Sequence, residues 1–233
     1  CESMNGLIHS SLYFGMLVSV GAYMLGVWLK KKTGWAILNP LLVAIIVVIA
    51  FLSVFHIEYK EYNRGAVYLG YFLTPATVCL AIPLYKQLEL LRQHLIAVAS
   101  AIVAGVAGSV GSIYVMCRFF QLEHTHYVTL LPKSITTAIG MGVSEEAGGI
   151  VTLTVISIII TGILGNIIAD WLFQIFKIEE PIAKGLALGT AAHAIGTAKA
   201  LELGEIEGAM SSLSIAVAGL LTVVVVPLMS GLI

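Results

Sequence analysis

Apolar runs long enough to cross a bilayer recur along the whole of this chain. Residues 11–29, 35–55, 94–117, 149–176 and 208–232 are each nearly unbroken stretches of aliphatic and small residues. A hydrocarbon core of about 30 Å asks for about 18 or more such positions in a helix, whereas a helix on a soluble domain shows a polar face. Inside hydrocarbon a backbone can satisfy its own hydrogen bonds only as a helix or a closed barrel, and runs of this length select the helix. Hydrophobic residues make up 59% of the chain and charged residues 11%, with a mean hydropathy of +1.00. A soluble domain carries about 25% charged residues. The fold class expected is an all-α polytopic membrane protein with about seven or eight hydrophobic segments.

The same composition excludes several kinds of function. The net charge is −1 and the one basic cluster is Lys30-Lys31-Lys32, so nucleic-acid binding has no electrostatic support. Cys1, Cys79 and Cys117 are scattered and odd in number, which suggests neither a disulfide framework nor a metal site. His124-Thr125-His126 offers two imidazoles without a third ligand nearby, and the glycine-rich stretches lack the Lys-Ser/Thr ending of a phosphate loop. No catalytic constellation, metal or cofactor is expected.

Residues 1–10 read as an external tail, with Cys1-Glu2-Ser3 standing ahead of Met4, and 11–233 as a single transmembrane domain. Segment one, 11–29, ends at the lysine cluster. The positive-inside tendency then makes that loop cytoplasmic and the N-terminus external. Segment two is 35–55, and segment three, 65–85, is interrupted at Pro75 and Pro83. Segment four, 94–117, carries Gly105, Gly108 and Gly111, a spacing that lets a neighbouring helix approach closely. Segments at 128–144, 149–176, 181–203 and 208–232 follow in a similar order. The halves 11–118 and 127–233 therefore read as an internal repeat, of the inverted kind found in many carriers.

Three polar stretches lie at membrane depth: Thr74-Pro75-Ala76-Thr77 through Pro83, Pro132-Lys133-Ser134-Ile135-Thr136-Thr137, and Gly189-Thr190 through His193 to Thr197 and Lys199. Polar groups there are costly and mark functional sites, and a helix broken at that depth frees amides and carbonyls that must meet protein, water or ligand. Gly189 and Gly196 are expected to loosen the helix around His193. The pattern suits a carrier with broken or re-entrant helices. The free amides of a half-helix and the hydroxyls of Thr74, Thr77, Ser134, Thr136, Thr137, Thr190 and Thr197 would receive a small carboxylate. Lys133 is the natural counter-charge, set against the reading of an interfacial lysine. His193 either binds substrate or carries a coupling proton, set against a neutral imidazole bonded between helices. Lys199 is expected to pair with Glu202 one turn on, and Asp170 to be interfacial.

Leu38-Asn39-Pro40-Leu41-Leu42, Thr74-Pro75-Ala76-Thr77, Pro83-Leu84-Tyr85-Lys86-Gln87, Pro132-Lys133-Ser134, Gly148-Gly149-Ile150, Gly185 to Thr190, and His193 through Gly204 together resemble the LrgB/CidB family of antiholin-like bacterial inner-membrane proteins. The resemblance runs from about Leu12 to the end of the sequence. The family usually reads Thr-Thr-Pro where this chain has Thr136-Thr137-Ala138, and Ser-His-Gly where it has Ala192-His193-Ala194. Membership implies one of two roles. One is regulation of murein hydrolase activity and lysis beside a small holin-like partner of the LrgA/CidA type. The other is transport of small monocarboxylates such as pyruvate, glycolate or glycerate. A homo-oligomer is compatible with either.

Overall fold

The computed structural model describes residues 13–35, 38–79 and 81–233, with the side chains of residues 73, 74, 77, 83 and 84 left undescribed. The expected tail, 1–10, therefore lies outside the described residues. All described regular structure is helical. The chain forms two compact units that part between Cys79 and Leu80.

The first unit contains α1 (Phe14–Thr33), α2 (Pro40–Val54), α3 (Tyr59–Gly70) and α4 (Leu73–Cys79). α1 stops where Gly34 turns left-handed (φ 70°) and its N–H caps the Lys30 carbonyl at 2.9 Å. α2 starts under a strong signal: the Asn39 side chain accepts from the Leu41 and Leu42 amides, and Pro40 fills the first helical position. α1 packs on α2 and α3 through bare glycine faces, since a β-carbon on Gly26 would stand 2.7 Å from the Pro40 carbonyl oxygen. Pro75 and Pro83 do not interrupt helices as expected. Each is the third residue of a short helix, α4 or α5, within the first turn, where a missing N–H costs nothing.

The second unit contains α5 (Ala81–Lys86), α6 (Leu88–Gln93), α7 (Leu95–Phe119), α8 (His124–Leu130), α9 (Thr137–Glu146), α10 (Val151–Ile175), α11 (Pro181–Leu203) and α12 (Glu205–Ser230). Three of these, α7, α10 and α12, are 25, 25 and 26 residues long and apolar enough to cross a membrane. At 1.5 Å per residue each reaches roughly 38 Å, beyond a bilayer core. Their faces divide by packing. On α7, Val98, Ile102, Val106, Val110, Ile113 and Cys117 recur every three or four residues and are buried against α8, α11 and α12, while Ile96, Val103 and Phe119 are exposed. The buried Tyr127 ties α8 to α12 by donating its hydroxyl to the Met229 carbonyl at 3.0 Å.

The expected segment at 128–144 is two helices, α8 and α9, joined by the turn 131–136. The expected segment at 181–203 is one run, α11, with a non-helical residue at His193 (φ 42°, ψ −133°). Gly189 and Gly196 do not loosen α11; they are points of close approach. A β-carbon on Gly189 would stand 2.5 Å from the Ser211 carbonyl of α12, and one on Gly196 would strike the Leu188 carbonyl across the break. α11 and α12 form the most extensive helix pair of the unit.

Candidate functional site

The turn between α8 and α9 presents Lys133 and Ser134 towards α7, α10 and α11. An open cavity of about 620 Å³ is lined there by Gly105 and Ser109 of α7, Lys133 and Ser134, Thr161 and Gly165 of α10, and Leu186, Ala187, Thr190 and Ala191 of α11. Glycine shapes the floor: a β-carbon on Gly105 would meet the Thr190 side chain at 2.9–3.2 Å, so α7 and α11 touch at that point. Thr190 therefore stays at the wall instead of being held off by a side chain on α7.

Proton accounting defines the polar atoms. The Lys133 ammonium donates to Ser134 Oγ at 3.0 Å, and the Ser109 hydroxyl donates to the same oxygen at 2.9 Å. Thr190 spends its proton on the Leu186 carbonyl of its own helix, 2.7 Å away. The Thr161 hydroxyl bonds to no described residue. Lys133 is partly buried, and no carboxylate among the described residues stands within ion-pair distance of it. The site is a cation ringed by hydroxyls in an otherwise apolar wall.

His193 lies deeper. It is buried, and its Nε2–H donates to the Ile158 carbonyl of α10 at 2.9 Å; a carbonyl can only accept, which sets the tautomer. Gly162 makes this bond possible, since a β-carbon there would stand 2.9 Å from the imidazole. Side chains bond two backbone carbonyls at the break. Thr197 donates to the His193 carbonyl at 3.1 Å, and the Asn166 amide donates to the Ile195 carbonyl at 3.1 Å. The Thr197 hydroxyl further bonds Ser211 of α12 at 2.7 Å.

The expected site residues thus separate. Lys133, Ser134 and Thr190 come together at the cavity, while His193 and Thr197 sit behind it as partners of α10 and α12. Thr136 precedes the first turn of α9 without capping it, and Thr137 begins that helix; neither lines the cavity. Pro75 is exposed in the first unit, and the side chains of Thr74 and Thr77 lie outside the described residues. Lys199 forms an ion pair with Asp170 of α10, at 2.7 Å. Ser109 and Thr161 are cavity residues that reading the sequence missed.

Long apolar helices enclosing a polar, lysine-bearing cavity beside a broken helix define a multi-pass membrane protein. Within that class the chain belongs to the LrgB-like family, whose model matches residues 19–232. It is 41% identical over 217 residues to the antiholin-like protein LrgB of Bacillus mycoides (strain KBAB4), covering 93% of this chain and 94% of that protein. It is 39% identical over 218 residues to the antiholin-like protein LrgB of Bacillus subtilis (strain 168), with the same coverage. No solved structure matches the chain.

Proposed function

We propose that the protein is a bacterial inner-membrane carrier component that binds a small monocarboxylate at Lys133. One observation carries this reading: a partly buried lysine with no carboxylate partner among the described residues, opening onto a hydroxyl-lined cavity. A charge in that setting is stabilised by an anion, and buried cations are otherwise paired. Ser134 and Thr190 complete the contact. His193 enters as the break point of α11 one turn beyond Thr190, and its coupling-proton role belongs to the same proposal. A small LrgA/CidA-type membrane protein would complete the transporting unit.

The second reading is an antiholin-like regulator of murein hydrolase activity and lysis, working through a holin-like partner. The names of the relatives favour it over the first, because proteins about 40% identical along nearly their full length are called antiholin-like. Contact between helices, however, has no use for an uncompensated lysine inside a cavity.

Reconstitution separates the two. With its partner in proteoliposomes, the protein is expected to carry radiolabelled pyruvate or glycolate. Lys133→Met should reduce uptake at least 10-fold while the protein still inserts and unfolds cooperatively, the loss expected from removing a charge-assisted hydrogen bond of about 1.5–3 kcal/mol. Absence of flux for every small monocarboxylate, with a lysis phenotype retained in cells, would leave the regulator.

A further inference from the structure

The first unit has an open apolar groove of its own, of about 580 Å³. α1 packs on both α2 and α3 and forms its floor, with α2 and α3 as the two walls. Leu41, Ile45, Val48, Ile49 and Leu52 recur at helical spacing and turn one face of α2 into the groove. Tyr59, Tyr62 and Leu69 of α3 stand opposite. The hydroxyls at the floor are already paired. Ser19 donates to the Gly15 carbonyl at 2.7 Å, so the 2.7 Å bond between Ser19 and Tyr62 runs from the phenol to the serine. Neither has a proton left to give, and the groove asks for an apolar occupant.

We propose that this groove holds the acyl tails of one anionic phospholipid, whose phosphate rests on Lys31 and Lys32.

Length, volume and charge select that occupant. From Leu41 to Leu52 the groove wall runs about 16 Å, close to the roughly 15 Å depth of one bilayer leaflet. A helix about 10 Å across would take up about 1,300 Å³ over that length, far more than the groove offers. An acyl chain about 4–5 Å across takes up roughly 300 Å³, so both tails of one lipid fit. The direction is also set. Phe14 meets Phe51 with ring centroids 6.2 Å apart, while Gly26 lies against Pro40, so α1 and α2 run antiparallel. Lys30, Lys31 and Lys32 follow Gly26 by about one to two turns, beyond the Leu41 end of the groove, where a headgroup would emerge. Lys31 and Lys32 are exposed, and from Phe14 to Val54 the sequence has no acidic residue to offset the lysines. A basic end beside a leaflet-deep groove is complementary to a negatively charged headgroup.

Native mass spectrometry of the full-length protein in detergent reads occupancy directly, with phosphatidylglycerol and phosphatidylcholine of matched chains supplied in equal amounts. The one-lipid adduct with phosphatidylglycerol is expected to exceed that with phosphatidylcholine by about 5-fold or more. Val48→Trp fills the groove and should remove most of both adducts, and Ile49→Trp is a second filling variant. Ile46→Trp adds the same ring on an exposed part of α2 that does not line the groove, and should leave both adducts unchanged. Replacing Lys31 and Lys32 together by glutamine should lower the phosphatidylglycerol adduct to the phosphatidylcholine level. Equal adducts in the unmodified protein overturn the inference, as does binding that both filling variants leave intact or that Ile46→Trp reduces equally. A dimer that Val48→Trp dissociates and Ile46→Trp does not would overturn it too, by seating a second copy of the chain in the groove.

Discussion

His193 occupies a backbone conformation (φ 42°, ψ −133°) that a β-carbon disfavours, and it does so inside a helix. Such residues cost about 1–3 kcal/mol and persist only where their surroundings hold them. Here the holders are the Nε2 bond to the Ile158 carbonyl and the Thr197 bond to its own carbonyl. Two substitutions separate ring from backbone. His193→Ala and His193→Gly both lose the imidazole, but only glycine tolerates the positive φ. His193→Gly is therefore expected to be the more stable by about 1 kcal/mol, seen as a higher unfolding temperature in detergent. In an unbroken helix the order reverses, because alanine outranks glycine there by about 1 kcal/mol. The sequence marked this residue, Lys133, Ser134 and Thr190 because polarity stands out in an apolar chain. It could not mark Ser109 or Thr161, since a lone hydroxyl within an apolar run commonly bonds back to its own helix. Only the packing of α7 and α10 beside Lys133 gives those two a direction.

At the scale of the element, α11 lies on α12 along both halves, the second through the Thr197–Ser211 bond, and α10 adds its own hold on the second half. Gly185 and Gly189 lay the first half on α12, while Asn166 and Asp170 of α10 grip the second half through the Ile195 carbonyl and Lys199. Its extent, 181–203, was legible from hydropathy alone; the position of the break was not. Glycine in a sequence stands both for a loose backbone and for a missing side chain that admits a neighbour, and only packing tells the two apart. Gly189 and Gly196 prove to be the second kind. The two kinds of glycine should answer differently to alanine. Gly162→Ala pushes a β-carbon against the imidazole and against Ile195, so it should destabilise by about 1–3 kcal/mol. Gly108→Ala projects into open space on α7 and should be neutral or stabilising by up to about 1 kcal/mol. Thermal unfolding of both variants in one detergent gives the contrast, and equal shifts would remove the packing account.

For the whole molecule, the sequence was most legible where bilayer physics leaves least choice. α7, α10 and α12 fall within a few residues of the expected spans because nothing but a helix can bury their backbones in hydrocarbon. The order of segments that suggests an inverted repeat leaves no comparable imprint on side chains, so the repeat stays a proposal. Orientation is a proposal too, and it has a clear physical basis. Lys30, Lys31 and Lys32 close α1, and Lys32 lies 5.0 Å from the ring centroid of Trp28, an aromatic and a cation paired where a helix leaves the membrane. Three lysines in the last turn of α1 resist translocation, so that end should remain cytoplasmic and place the N-terminus outside. Trp35, exposed just beyond the Gly34 cap, is the position to label. With Cys1, Cys79 and Cys117 replaced by alanine, Trp35→Cys should react with a membrane-impermeant maleimide in inside-out vesicles and stay unlabelled in intact spheroplasts. The opposite pattern would invert the whole topology, and with it the side of the membrane from which α1 enters.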